Sequence, residues 1–182
     1  PPSYEGSGKV MGESKPLACV EAMRVGEVSQ HPDTIAIIVA GGVGERFGDA
    51  RGKQFVDLCG LPLMSWAILA FDRAPSVARI VLVCASDRRA EASSDVLSKL
   101  TLRCPVTIAP AGDTRQASVM SGLEAMPRGY ELVAVHDAAR PLIEVDDIER
   151  ACVAVRADAS LAGAVCAARS IDTLKLVEGD TI

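Results

Sequence analysis

Residues 34–54, TIAIIVAGGVGERFGDARGKQ, contain the stretch that decides the fold. Its apolar run from Ile35 to Ala40 is continuous rather than alternating, which is typical of a parallel strand covered on both faces. Because glycine has no Cβ, a phosphate can lie against the bare backbone N–H groups of the residues that follow, namely Gly41, Gly42 and Gly44. Arg46 and Lys53 supply cations for the remaining oxygens. The stretch predicts a buried strand that ends in a phosphate-binding loop.

The spacing of this loop differs from two common phosphate-binding motifs. A dinucleotide loop has a third glycine at the position that Phe47 occupies here. A P-loop has more residues between its glycines than lie between Gly48 and Gly52, and it has a hydroxyl residue where this chain has Gln54. A glycine turn that merely joins a strand to a helix is the remaining alternative, although the two cations of this loop exceed what such a turn requires.

Composition limits the classes of partner. The chain has 182 residues, of which 49% are hydrophobic and 24% charged, enough for one domain with a packed core. A net charge of -5, few aromatic residues and the lack of a basic run argue against a nucleic-acid groove. An acidic protein that binds polyanions must concentrate its positive charge, and the candidates are Arg46, Lys53 and Arg140.

The cysteines and the apolar runs bear on the compartment. The 6 cysteines form no C-x-x-C pair and lie mostly in apolar segments, which predicts free core thiols in a reducing compartment rather than disulfides or a zinc site. No apolar run approaches the roughly 20 residues that cross a bilayer. The sequence therefore predicts a soluble, cytoplasmic protein without a membrane or nucleic-acid partner.

The order of apolar runs and turn signals predicts the architecture. Residues 1–33 are rich in proline and glycine, so we expect a flexible extension followed by a domain over 34–182. Strands are predicted at 35–40, 79–85, 106–109, 131–136 and 162–168, and helices at 61–71, 86–100, 114–126 and 145–156. Ser86 and Asp87 are the predicted cap of the second helix. This alternation predicts an α/β fold with a doubly wound, mostly parallel sheet.

The last residues follow a different pattern. Residues 170–177 alternate polar and apolar side chains up to a turn at Gly179 and Asp180. This pattern predicts the first strand of a protruding β-arm over 170–182, whose return strand would lie beyond Ile182. We therefore expect the domain to be incomplete at its C-terminus.

Polar groups follow three of the predicted strands, at residues 41–53, 112–118 and 137–140. The carboxyl ends of parallel strands form the ligand-binding edge of such sheets, so we expect these groups to lie together. Gly112, Asp113 and Ser118 suit a base or ribose. Asp137 offers a carboxylate for Mg²⁺, and Arg140 offers a guanidinium for a second anion.

Each of these residues also has a purely structural interpretation. Asp113 could cap the helix that begins at Thr114. His136 is more simply explained as a hydrogen-bonded histidine at a strand end than as a metal ligand or base. Asp137 and Arg140 could form a local ion pair. Their common position at strand ends favours the functional interpretation of the set.

The ordered motifs resemble those of the 2-C-methyl-D-erythritol 4-phosphate cytidylyltransferase family, within the sugar-phosphate nucleotidyltransferases. The resemblance extends over 34–182 and rests on five motifs: AGGVGER at 40–46, KQF at 53–55, GDTRQASV at 112–119, HDAARP at 136–141 and DTLK at 172–175. One departure is Gly52, because the family usually has proline before the lysine. This difference concerns the stiffness of the loop rather than the role of Lys53.

The resemblance implies a Rossmann-like nucleotidyltransferase that transfers CMP from CTP to methylerythritol phosphate, with Mg²⁺ as cofactor and a homodimer formed through the β-arm. It implies catalytic roles for Arg46 and Lys53. It implies nucleotide binding by Ala40, Gly41, Gly42, Gly44, Gly112, Asp113 and Ser118, and acceptor binding by Asp137, Arg140 and Thr173, with Asp137 also holding the metal. Ribitol 5-phosphate is the alternative acceptor, and a catalytically silent binding module is the alternative class. In that family the arm contacts the second subunit, and residues beyond it bind both substrates. Residues 1–182 alone are therefore expected to be inactive and to dimerise poorly.

Overall fold

Alternating strands and helices build the protein in the computed structural model, which describes residues 17–20, 32–42 and 52–168. The strands are β1 (Leu17–Val20), β2 (Thr34–Ala40), β3 (Asp57–Leu58), β4 (Leu61–Pro62), β5 (Val77–Cys84), β6 (Val106–Pro110), β7 (Leu132–Asp137) and β8 (Gly163–Cys166). The helices are α1 (Leu63–Arg73), α2 (Arg89–Glu91), α3 (Arg115–Glu124) and α4 (Val145–Ala157).

A four-stranded parallel sheet in the order β6-β5-β2-β7 forms the centre. Alternate residues of β2 enter two different cores, as the pleat of a strand requires. Ala36 and Ile38 join the core that contains residues of α1 and α4, whereas Ile35 and Ile37 face the opposite side. Helices therefore cover both faces, which explains why the run of β2 is continuous. The predicted α/β, doubly wound fold class is confirmed.

Helix α3 lies very close to the second face of the sheet. A Cβ atom on Gly122 would lie 2.6 Å from Cγ2 of Ile37 and 3.1 Å from Cγ2 of Val83. Only a residue without a side chain allows this approach, so Gly122 sets the distance between α3 and the sheet. This distance also fixes the position of the loop that precedes α3.

Two predicted helices differ from those observed. The helix expected from residue 61 begins at Leu63, because Leu61 and Pro62 pair with Leu58 and Asp57 in a short antiparallel hairpin. The segment predicted as one capped helix over 86–100 is a series of 3-10, α and π turns from Ser86 to Lys99. Its first turn follows Ala85 and has no side-chain cap, so the predicted cap at Ser86 and Asp87 is wrong.

Strands β1 and β8 form a separate two-stranded parallel sheet, with Leu17 opposite Gly163 and Val20 opposite Cys166. The sequence did not predict β1, which lies within the expected flexible extension. The division into an extension and a domain at residue 33 remains a prediction. The predicted arm over 170–182 lies outside the described residues.

A buried polar network holds α4 against the amino ends of the central strands. Arg156 donates hydrogen bonds to both carboxylate oxygens of Asp33 and, over 3.1 Å, to Oγ of Ser76. Glu149 is only 3% exposed, and it accepts hydrogen bonds from the N–H and the hydroxyl of Ser76 over 2.9 and 2.7 Å. We call Asp33, Ser76, Glu149 and Arg156 the amino-edge network. Because each charged group in it is hydrogen-bonded, burial leaves none of them without a polar partner.

The cysteines whose side chains are described are free thiols, and three of them lie in the interior: Cys84, Cys104 and Cys152. Burial raises the pKa of Cys104 to about 11, which keeps this thiol protonated near neutral pH. Cys59 and Cys166 are exposed, so the prediction of core thiols is wrong at these two positions. Among the described residues, no helix is long and apolar enough to span a membrane.

Candidate active site

The end of β2 is packed against the end of β6. A Cβ atom on Gly41 would lie 2.4 Å from Cβ of Ala111 and 3.5 Å from the hydroxyl of Ser118. Glycine at position 41 is therefore required by this close approach of two strand ends. The approach joins the start of the loop after β2 to the turn after β6. Gly42 is exposed next to it, and Ala40 is buried at the end of the strand.

Gln54 connects the lysine turn to the glycine loop. Its side chain is buried, and its Nε2 donates hydrogen bonds to the carbonyl oxygens of Ala40 and Gly42 over 2.9 and 3.1 Å. Lys53 precedes it in a 3-10 turn and is exposed to solvent. Gly52 has a φ of 87°, which proline cannot adopt. Glycine rather than proline at this position therefore fits the observed turn.

The turn after β6 is held by Ser118, whose side chain is almost fully buried. Its hydroxyl accepts a hydrogen bond from the N–H of Gly112 over 3.1 Å and lies 3.0 Å from the carbonyl oxygen of Thr114. A Cβ on Gly112 would lie 2.5 Å from Cβ of Ala117, so this position also requires glycine. The hydroxyl of Ser118 thus shapes the turn that would face a nucleotide.

Thr114, not Asp113, caps helix α3. Its side chain accepts a hydrogen bond from the N–H of Ala117 over 3.0 Å. The capping alternative for Asp113 is therefore wrong, and its carboxylate is exposed beside the helix start. The side chain of Asp113 projects from the turn that Ser118 and Gly112 form, where it is available to a ligand.

Asp137 lies between two arginines at the end of β7. Its carboxylate oxygens are 2.9 Å from Nε of Arg115 and 3.3 Å from Nε of Arg140. The local ion pair considered for Asp137 and Arg140 is therefore present. The contact with Arg115 joins the start of α3 to the end of β7. All three charged groups are at least partly exposed, so solvent and ligands can compete for these contacts.

His136 has a structural environment, as predicted. Its Nε2 lies 2.9 Å from the carbonyl oxygen of Arg140, and its ring is 5.2 Å from the ring of Phe71. Burial lowers the pKa of His136, and the hydrogen bond with the Arg140 carbonyl opposes this shift only in part. The neutral imidazole connects the turn over 137–140 to the strand through this contact. Its ring is used in packing and hydrogen bonding rather than positioned as a general base.

The described residues at the three strand ends are thus linked: Gly41 approaches Ala111, and Arg115 pairs with Asp137. Sequence reasoning missed Gln54 and gave no role to Arg115, although both lie within the motifs. The partners of these side chains are 12 to 22 residues away in sequence, so no local pattern could reveal them. The predicted site residues Gly44, Arg46 and Thr173 lie outside the described ranges.

The donor set at this edge suits a metal that arrives with phosphates. The described residues contain no group of three or more carboxylate, histidine or cysteine side chains that could hold a metal alone. Asp137 supplies one carboxylate, and Mg²⁺ in phosphate-transfer sites is commonly held by one or two carboxylates plus substrate oxygens. Asp137 therefore fits a Mg²⁺ ion bound together with a nucleotide.

A groove of about 930 Å³ leads away from these charges between β7, α4 and β8. Arg115, Asp137 and Arg140 line it, together with apolar residues such as Val135 and Val165. Among the described residues, the charged cluster thus borders an open groove.

A parallel sheet with glycine turns and cations at its carboxyl edge defines an α/β protein of the Rossmann-like nucleotidyltransferase class. The family model for 2-C-methyl-D-erythritol 4-phosphate cytidylyltransferase matches residues 34–182, and the chain belongs to this family.

Individual relatives agree with this assignment. The chain is 38% identical to a 2-C-methyl-D-erythritol 4-phosphate cytidylyltransferase of Streptomyces avermitilis, over 80% of this chain and 58% of the relative. It is 38% identical to a bifunctional enzyme of Solidesulfovibrio magneticus, over 80% of this chain and 38% of the relative. The chain thus spans less than two thirds of the length of these relatives.

A solved structure supports the fold. The crystal structure of 4-diphosphocytidyl-2C-methyl-D-erythritol synthase from Anaerococcus prevotii superposes with a TM-score of 0.67 at 23% identity, covering 82% of this chain and 60% of that one. At this identity the likeness concerns the arrangement of the sheet and its helices.

Proposed function

We propose that the protein transfers CMP from CTP to 2-C-methyl-D-erythritol 4-phosphate and releases pyrophosphate. Family membership over 34–182 supports the reaction. The observation that carries the proposal is the junction of three strand ends at one edge of the sheet, through the approach of Gly41 to Ala111 and the ion pair of Arg115 with Asp137. Nucleotide, metal and acceptor must meet in such a reaction, and the close approach of these strand ends supports a common site for them.

The chemical problem is the encounter of two anions. A phosphate oxygen of the acceptor forms a bond to the α-phosphorus of CTP while the bond to pyrophosphate breaks. Lys53 and Arg46 would stabilise the charge that builds up on the α-phosphate and on the leaving group. No general base is required, because the acceptor phosphate is already ionised at neutral pH.

The other residues bind and orient the substrates. Gly112, Asp113 and the turn shaped by Ser118 would hold cytidine, and Ala40, Gly41, Gly42 and Gly44 would present backbone to the triphosphate. When bound at Asp137, Mg²⁺ would neutralise triphosphate oxygens. Arg140 would hold the acceptor, with Thr173 of a second subunit reaching it through the proposed arm over 170–182.

An assay of pyrophosphate release from the full-length protein tests the proposal. With CTP and methylerythritol phosphate we expect turnover that depends on Mg²⁺, and much less with UTP. Ribitol 5-phosphate in place of methylerythritol phosphate should give little product. A preference for ribitol 5-phosphate would contradict the proposed acceptor, whereas CTP binding without turnover on either acceptor would indicate a silent binding module.

A substitution of Lys53 tests the proposed chemistry at the glycine loop. Lys53→Ala should lower turnover by about 10²-fold or more, which is typical for the loss of a group that stabilises a transition state. The side chain is exposed, so the unfolding temperature should stay unchanged. Release of pyrophosphate at a rate near that of the unsubstituted protein would contradict a catalytic role for Lys53.

A further inference from the structure

The amide of Gln54 links the two parts of the proposed phosphate site. Nε2 of Gln54 has two hydrogens, and both are used on backbone carbonyls, those of Ala40 at 2.9 Å and Gly42 at 3.1 Å. The side chain is 5% exposed, so its bond to Ala40 is sheltered from water, whereas its bond to the exposed Gly42 is only partly buried. A buried amide that satisfies two carbonyls on a separate loop fixes the position of its own backbone relative to that loop.

The bonds also orient the backbone at Gly41. In a planar trans peptide, the C=O and N–H groups point in opposite directions. When Gln54 engages the carbonyl of Ala40, the N–H of Gly41 points away from the Gln54 amide. The bond thus restricts how the backbone at Gly41 can present itself to an anion.

Gly52 shows that this arrangement needs space. A Cβ on Gly52 would lie 2.9 Å from both terminal atoms of the Gln54 amide, and the φ of 87° is unfavourable for any other residue. The Gln54 side chain therefore folds back over Gly52 to reach the strand end. Lys53 lies between Gly52 and Gln54 in sequence, so its backbone position depends on how the Gln54 side chain packs over Gly52.

We propose that Gln54 is a positioning residue that holds the Lys53 ammonium at the triphosphate of the bound nucleotide. This inference rests on the proposed function, since it assumes that CTP binds at this edge. The proposal predicts that Lys53 contributes strongly to nucleotide binding only while Gln54 is hydrogen-bonded to both Ala40 and Gly42. An exposed lysine on a turn without this bridge would lose orientation and with it much of its effect.

A double-substitution cycle on CTP affinity tests the dependence. Calorimetry measures the dissociation constant for CTP with Mg²⁺ in the unsubstituted protein, Lys53→Met, Gln54→Met and the double variant. Methionine matches the length of Gln54, is one atom shorter than lysine, and removes the donors of both side chains. We expect Lys53→Met to weaken binding about 10-fold, as is typical for a charged contact, and only about 2-fold when Gln54→Met is already present.

Two further variants keep the test independent of folding. Gly52→Ala should reproduce the loss of dependence, because its Cβ displaces the amide while Gln54 itself remains. Glu149→Gln is the matched control, since this residue is equally buried at the opposite edge of the sheet and its change should leave the full effect of Lys53→Met in place. Circular dichroism confirms that each variant folds.

The outcomes separate the inference from the function on which it rests. An equal factor for Lys53→Met with and without Gln54 would overturn the positioning role while leaving the proposed function intact. A loss of dependence in Glu149→Gln as well would also overturn it, since the effect would then follow from general destabilisation. Failure of the unsubstituted protein to bind CTP would overturn the proposed function and this inference together.

Discussion

Two clusters of aspartate and arginine lie at opposite edges of the same parallel sheet. At the amino edge, Asp33 and Arg156 have side chains that are 21% and 22% exposed, and Ser76 and Glu149 extend their network into the interior. At the carboxyl edge, Asp137 is paired with Arg115 and Arg140, whose side chains are 61% and 76% exposed. An aspartate–arginine pair is thus mostly enclosed at the amino edge, whereas at the carboxyl edge the arginines are open to solvent.

The difference follows from what surrounds each cluster. Helix α4 covers the amino edge, so its charges are mostly enclosed and are hydrogen-bonded to one another and to the hydroxyls of Ser76 and Thr34. At the carboxyl edge, turns replace the helix, and the charges face a groove. An enclosed pair acts on stability because its removal leaves a partner unpaired, whereas an exposed pair contributes little to stability and can be exchanged for a ligand.

The largest effect is expected at the open edge. Asp137→Asn should reduce turnover by about 10²-fold and raise the Mg²⁺ concentration needed, because an amide holds the metal and its phosphates less strongly than a carboxylate. The unfolding free energy should change little. Pyrophosphate release at several Mg²⁺ concentrations, with urea unfolding alongside, measures both quantities. A variant that loses stability but retains its metal requirement would show that the two edges do not differ in kind.

The reverse result is expected at the enclosed edge. Arg156→Met keeps the aliphatic stem but leaves Asp33 without its guanidinium, and it should lower the unfolding free energy by about 2 kcal/mol, below the range for fully buried pairs because the groups are partly exposed. CTP affinity at a temperature where the variant is folded should be unchanged. Urea unfolding and calorimetry provide the measurements. A weakened CTP affinity at full folding would link the two edges.

The two arginines at the open edge sharpen the comparison. Arg140→Ala should weaken acceptor binding by roughly 10-fold and leave the dissociation constant for CTP unchanged, since we assign this guanidinium to the acceptor phosphate. Arg115→Ala removes the other partner of Asp137 and should change acceptor binding much less. Calorimetry with each substrate separates the two. Loss of CTP affinity in Arg140→Ala would reverse the assignment.

The smallest effect concerns pH. Burial opposes ionisation of Asp33, but hydrogen bonds from Arg156 and Thr34 outweigh it, so the pKa of Asp33 in the folded protein lies below its ordinary value of 3.8. The charged carboxylate therefore contributes stability that is present above about pH 3.8 and is lost as the pH falls through the folded pKa. The stability difference between the unsubstituted protein and Asp33→Asn should shrink over this acidic range. A difference that grows on acidification would contradict the sign.

The sequence predicted the central sheet because its strands are long apolar runs between turn residues. β2, β5, β6 and β7 all begin or end within about two residues of their predicted bounds. The region over 86–99 was predicted as one capped helix. Its buried positions Ala92 and Val96 have helical spacing, which explains the prediction, but no side chain caps the segment and it is not one regular helix. β1 was missed because Leu17–Val20 is short and lies among proline and glycine residues.

The site was predictable as a set of positions and not as a set of contacts. Glycines and charges after each strand indicate the ligand-binding edge, because parallel strands share one carboxyl end. The approach of Gly41 to Ala111 and the pairing of Arg115 with Asp137 depend on strand order and helix placement. Neither can be derived from residues that are local in sequence.

The packing of Gly122 in the core affects the position of the site at the start of α3. Helix α3 begins at Arg115, one residue after the cap that follows the turn with Gly112, and Gly122 rests against Ile37 and Val83 two turns further along. A helix is stiff over this length, so a methyl group at Gly122 would tilt or lift α3 as a rigid lever. The displacement would reach Arg115 and the Gly112 turn at its far end. A substitution inside the core would thus change the geometry of the proposed site without altering any side chain assigned to it.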